Sequence, residues 1–239
     1  MFVTTDLHGC RDSFLALLDR IAFSRSDTLY LLGDYVAKGP DSRGVLDEIM
    51  TLQQSGYRIL CLRGNHEEML LRAVRNDPAS LEGWMPADGK RTLTSFGVEK
   101  AADLPPEYVG WLDELPYFFE TDGYILVHAG LDFSAPDPLA ATGSMCWIRD
   151  WHETIRYDWL GERIILHGHT PVPPGRIRSQ FARLDTGRFL DLDGGCAFAG
   201  NPRPERAGLG WLAAFDMTNR RLFFQKNIDR PAPHPISTF

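Results

Sequence analysis

The chain has 239 residues, 44% of them hydrophobic and 24% charged, with a formal net charge of -7, the balance of a globular chain with room for a sizeable core. The negative balance argues against general nucleic-acid binding or docking on anionic membranes, which need a basic surface. It does not exclude a small phosphorylated substrate, because bound metal ions reverse the sign of a local site.

Three strand-to-helix units come first. Phe2 to Thr5 runs into Asp6 and then a helical pattern in "RDSFLALLDRIAF"; Thr28 to Leu32 runs into Asp34 and then "SRGVLDEIMTLQQSG", stopped by Gly56. Arg58 to Leu62 runs into Asn65-His66 and then "EEMLLRAVRN". Such alternation implies a parallel sheet with right-handed crossovers, and in such sheets ligands bind at the carboxyl ends of the strands. Residues 76–120 are rich in Pro, Gly and Trp and read as a helical cap or insertion within a single domain spanning residues 1–239. Short strands follow in "YILVHAG", "RIILHGH", "RFLDLDG", "GWLAAFD" and "RLFFQKN", whose alternation suggests a second, partly antiparallel sheet. The proline-rich tail "RPAPHPISTF" reads as loosely held.

Cys10, Cys61, Cys146 and Cys196 form no CxxC pair and read as buried thiols. The start "MFVTTDLHG" has no basic, apolar leader pattern, so a cytoplasmic location is expected.

Five predicted strands end in a carboxylate, an amide or an imidazole: Asp6 and His8, Asp34, Asn65 and His66, His128, and His167 with His169. Any one of these is an ordinary turn; five in succession converge on one rim. Carboxylate, imidazole and amide oxygen without thiolate favour divalent metals such as manganese, iron or zinc. Two-metal sites of this kind hydrolyse phosphate esters by in-line displacement.

The series "DLHG … GDYVAKGP … RGNHEE … VHAG … HGHTP" resembles the calcineurin-like metallophosphoesterases, within them the phosphoprotein phosphatase group and its diadenosine tetraphosphatase relatives. The resemblance implies an α/β/β/α sandwich of two mixed sheets flanked by helices. It also implies two divalent ions, manganese first among the candidates. Asp6, His8 and Asp34 would hold one ion; Asp34 as a bridge, with Asn65, His128 and His169, would hold the other. His66 would be the proton donor to the leaving group, the nucleophile would be a metal-bridging hydroxide, and Lys38 and Arg149 would bind the phosphate. His167 reads as a supporting residue, His152 and His234 as surface residues, Arg63 as a loop-ordering residue, and Trp147 as packing.

One position departs from the group's pattern. Where the protein phosphatases carry "GDxVDRG", this chain has Ala37 and Lys38, so the carboxylate that orients the donor histidine is missing. Weak proton donation by His66 is the expected consequence, unless Asp41 or another nearby acid substitutes. Phosphoserine leaves as a very basic alkoxide and needs strong acid help, whereas a nucleotide phosphate leaving an anhydride does not. The motifs as a whole nevertheless favour a serine/threonine protein phosphatase. A hydrolase of dinucleoside polyphosphates is the alternative, and an inactive metal-binding scaffold a further one. The expected partner is thus a phosphoprotein or a nucleotide.

Overall fold

The computed structural model describes residues 1–229; His234 and the proline-rich tail lie outside them. Strands β1 (Phe2–Thr4), β2 (Thr28–Leu31) and β3 (Arg58–Cys61) lie parallel in one sheet, joined by helices α1 (Arg11–Arg20) and α2 (Ser42–Gln54). Helix α3 (Asn65–Val74) follows β3. The second sheet runs β4-β5-β6-β7, with β4 (Phe118–Thr121) antiparallel to β5 (Tyr124–Val127), and β6 (Ile164–His167) and β7 (Phe189–Asp191) parallel to it.

The last two strands differ from the sequence expectation. β8 (Trp211–Asp216) and β9 (Arg221–Lys226) join the first sheet, giving the order β3-β2-β1-β8-β9. β8 lies antiparallel to β1 and supplies buried side chains to both faces, Ala213 and Phe215 to one and Leu212 and Ala214 to the other. A strand buried on both faces belongs inside a layered sheet, and this one completes the first.

Alternation sets the layers. Leu29 and Leu31 face the helices with Phe14, Leu46 and Ile49, while Tyr30 and Leu32 face the other sheet with Leu126, Leu166 and Phe215. On the far side, Ile125, Val127 and Ile165 pack under Phe133, Trp151 and Leu160. The product is two mixed sheets face to face with helical layers outside them, the fold class expected. Between α3 and β4 run a π-helical stretch (Ser80–Gly89), α4 (Lys90–Phe96) and α5 (Pro106–Asp113). Trp84, Phe96 and Tyr108 from this segment are buried in the helix-side core; Trp111 is half-buried against Tyr35 and donates to Gln53 Oε1 at 3.2 Å.

Candidate active site

The ends of β1, β2, β3, β5 and β6 meet at one place. His8 Nε2 stands 3.4 Å from Asp34 Oδ2 and 3.8 Å from Asp6 Oδ1. His128 Nε2 is 3.5 Å from Asp34 Oδ1 and 3.1 Å from Asn65 Oδ1, which is also 2.9 Å from His169 Nδ1. Thus Asp6, His8, Asp34, Asn65, His128 and His169 come together, all buried, with Asp34 between the two groups.

Backbone strain holds them there. Asp6, His8, Asp34 and His169 all have left-handed φ, at 52°, 44°, 57° and 72°, a conformation that costs of order 1–3 kcal/mol per non-glycine residue and gathers at functional sites. The loops also pass unusually close to one another. A Cβ on Gly64 would lie 2.3 Å from Asp34 Oδ1, and one on Gly33 (φ 104°) 2.6 Å from the Gly64 nitrogen. Only glycine lets the Asp34 and Asn65 turns touch.

The hydrogen bonds fix which ring nitrogen faces the centre. A carbonyl can only accept, so His8 Nδ1–H donates to Val36 O (2.9 Å) and His128 Nδ1–H to Leu32 O (2.8 Å). Both Nε2 lone pairs therefore point inward, the arrangement of a metal-binding histidine tied to a carbonyl. At His128 this brings a lone pair against the amide oxygen of Asn65, two acceptors that a cation reconciles. Among the described residues, Asp6 Oδ1 and His169 Nε2 are buried with no hydrogen-bond partner. Burial, and after it the charge of Asp6, pushes the Asp34 carboxyl well up, while burial holds His8 and His128 below the usual imidazole range. Buried carboxylates beside neutral imidazoles with inward lone pairs are a fitting donor set for borderline-hard divalent cations.

His8, Asp34 and His66 also offer ligand atoms within 4.8 Å of one another, but His66 is engaged differently. Trp84 Nε1–H donates to His66 Nδ1 at 3.0 Å. That ring nitrogen is therefore the acceptor, and the proton of the neutral imidazole sits on Nε2, 3.9 Å from Asp34 Oδ2. No sequence motif pointed to this partner: an indole from the insertion orients His66, with the opposite polarity from a carboxylate. Asp41 does not substitute, since its Oδ1 caps α2 by accepting from Gly44 N at 2.8 Å.

Lys38 Nζ lies 2.8 Å from His8 Nε2, and its charge bears on Asp34 and His66. Arg149 is at the rim, donating to Thr170 Oγ1 at 2.9 Å, and its charge reaches His169. His167 points elsewhere: it is buried, pushed down to about 3 by burial and next by His152, and its Nε2 is 3.1 Å from His152 Nε2. The strand ends at His167, so the left-handed His169 breaks the alternation that would have put both on one side. His152 is half-buried and stacked on Trp151, not a plain surface residue. Arg63 ties the β3–α3 loop to α5 through Asp113 O at 2.5 Å.

Sequence reading missed Glu67. Fully buried, its carboxylate accepts four backbone N–H groups: Asp34 (2.8 Å) and Gly64 (2.9 Å) on Oε2, Tyr35 (2.8 Å) and Val36 (3.2 Å) on Oε1. It locks the Asp34 turn to α3.

This donor set, at the carboxyl rim of a two-sheet sandwich, places the molecule among the metal-dependent phosphoesterases. The chain belongs to the calcineurin-like phosphoesterase family, whose profile matches residues 1–198, and is a hydrolase. It is 30% identical over 224 residues to the symmetrical bis(5'-nucleosyl)-tetraphosphatase of Chromohalobacter salexigens, covering 88% of this chain and 75% of that protein. To the protein of the same name from Dechloromonas aromatica it is 31% identical over 227 residues, covering 90% and 76%. Among solved structures, the fold is similar to a protein serine/threonine phosphatase from Saccharomyces cerevisiae (TM-score 0.65, 16% identity, 96% and 80% covered). A metallophosphoesterase from Sphaerobacter thermophilus is also similar (TM-score 0.57, 18% identity, 96% and 90% covered). These two likenesses bear on fold alone.

Proposed function

We propose that the chain hydrolyses dinucleoside polyphosphates, the alternative rather than the first reading of its motifs. The observation that carries this is the Trp84–His66 hydrogen bond. An indole N–H on Nδ1 stabilises the neutral ring, whereas a carboxylate would stabilise the cation. His66 is thus a hydrogen-bond donor through Nε2 rather than a strong acid, which suits a weakly basic leaving group and not an alkoxide. The relatives named above, matched along most of their length, support the same substrate class.

Asp6, His8 and Asp34 would hold one divalent ion, and Asp34, Asn65, His128 and His169 the other. Bound there, the ions supply Lewis-acid charge and a lowered pKa for water. The chain's own groups do the rest. Lys38 and Arg149 bring positive charge to the phosphate oxygens, where negative charge is redistributed in the transition state. As the bond from water oxygen to phosphorus forms, the bridging P–O bond breaks and its electron pair leaves on the nucleotide phosphate. His66 Nε2–H stabilises that departing oxygen. The four buried, unpaired thiols fit a reducing, cytoplasmic setting.

The test is a comparison of kcat/KM for diadenosine tetraphosphate, a phosphoserine peptide and an aryl phosphate, all with manganese. The dinucleotide should be the best substrate by at least tenfold over the peptide. A faster peptide overturns the reading, and no turnover of any of the three makes the chain a scaffold.

A further inference from the structure

Beside His66 the surface opens into a pocket of about 450 Å³, within the range of small-ligand sites. Its lining includes the indoles of Trp84 and Trp147, the Met69 thioether, Arg72 and Asp88. Trp147 is a large apolar residue left 38% exposed, with its N–H anchored on Glu68 Oε2 at 3.0 Å. The sequence reading of Trp147 as packing accounts for neither feature. Arg72 is held in position by an ion pair with the same Glu68.

Position relative to the chemistry assigns the pocket a side. In an in-line displacement the leaving oxygen departs opposite the attacking water, and His66 Nε2–H marks where it departs. Because His66 borders this pocket, a group attached to that oxygen would have room there. An aromatic-walled pocket suits a planar base, since stacking on indole accepts any base. The Arg72 guanidinium matches a phosphate oxygen, and the Asp88 carboxylate matches the ribose hydroxyls.

We propose that this pocket receives the nucleoside end of the leaving nucleotide, with the exposed Trp147 as the stacking surface and the buried Trp84 bordering it; the assignment rests on the dinucleoside polyphosphate reading above. Trp84 would then link the pocket to the chemistry, since the indole that borders the pocket also sets the ring proton of His66.

The experiment uses the full-length, manganese-loaded protein and calorimetric binding of ADP, of inorganic pyrophosphate and of a phosphoserine peptide to wild type, Trp147→Ala and Trp147→Phe. Trp147→Ala should weaken ADP on the order of 10- to 100-fold, the size of one lost base stack. Pyrophosphate should change by less than about twofold on the same stacking argument, and Trp147→Phe should restore most of the ADP affinity. An unchanged ratio of ADP to pyrophosphate affinity overturns the pocket. So does a loss confined to a phosphoserine peptide, which would make this a peptide groove. Turnover of diadenosine tetraphosphate by the wild type is read separately. Its absence sinks the functional reading, and the leaving-nucleotide assignment with it, whereas an altered affinity ratio cannot be produced by that failure.

Discussion

The rim of strand ends and the insertion between α3 and β4 contribute to one site by different physics. The rim is over-determined: six candidate ligands are buried, four sit in strained left-handed backbone, and one carboxylate, Glu67, gathers four N–H groups beneath them. The insertion adds only a few contacts to the site. Trp84 reaches His66, Thr92 Oγ1 accepts from Ala37 N at 3.1 Å, and Arg91 donates to Lys38 O at 2.7 Å. At the site these contacts fall on His66 or on the Ala37–Lys38 turn, while the rest of the segment packs on the helix-side core. One region holds the charge centre and the other adjusts what that centre acts on. Changes in the rim should therefore abolish activity on every substrate, whereas changes in the insertion should alter the ranking of substrates.

The largest effect belongs to Asp34. Its two oxygens face His8 on one side and His128 on the other, so Asp34→Ala should disrupt both halves of the cluster. Calorimetry with manganese should show loss of tight binding, and turnover should fall by more than the roughly 10- to 100-fold that an outer partner costs. Retained binding of two ions would break the comparison at its root. Next comes Glu67→Gln. The amide NH2 would face backbone N–H groups that now meet a carboxylate oxygen, leaving buried donors unpaired at about 1–3 kcal/mol each. Thermal stability should drop, and activity on all substrates should fall together by about 10- to 100-fold. A change in substrate ranking would show that Glu67 does more than hold the rim.

The two regions were not equally legible. Rim residues stand where an apolar run of β1, β2, β3, β5 or β6 stops, a pattern within a few residues of sequence. Hence Asp6, Asp34, Asn65, His128 and His169 were readable. Glu67 was not, because an acid in the first turn of α3 looks like ordinary helix-dipole complementation; its burial depends on the approach of the Asp34 turn. At His167 the alternation of a strand stops being a guide, because His169 turns left-handed. β8 and β9 were legible as strands, but their pairing with β1 spans more than 200 residues and has no local signature. Trp84 lies in a segment without strand or helix periodicity, 18 residues from the histidine it orients. The resemblance pointed to a missing acid at position 37; no motif pointed to the indole that meets His66.

A smaller and more selective effect is expected at Trp84. Trp84→Phe keeps an aromatic ring in the core but removes the N–H that fixes the His66 ring proton on Nε2. The ring can then adopt either tautomer, and part of the 10²–10⁴-fold contribution of a positioned proton donor should be lost. With a series of aryl phosphates, the loss should grow as the leaving group becomes more basic. A uniform loss across the series would mean that Trp84 acts only through packing.

The smallest effect is the most informative, Ala37→Asp. Left-handed backbone tolerates Asp better than Ala, and Ala37 has φ 72°, so the turn itself should accept the change. The restored acid would nonetheless need an N–H on His66 Nδ1, and that nitrogen already accepts from Trp84. It would also add a buried negative charge to a cluster where Asp6 and Asp34 already repel each other. Ala37→Asp alone should therefore leave phosphoserine-peptide turnover unchanged within about threefold, a small part of what a positioned acid supplies. In the Trp84→Phe background the conflict is gone: the new carboxylate can hold the Nδ1 proton, and peptide turnover should rise relative to Trp84→Phe alone. A gain of the same size in both backgrounds would show that the indole and the carboxylate do not compete for His66, and the division between rim and insertion would fail at the one residue where they meet.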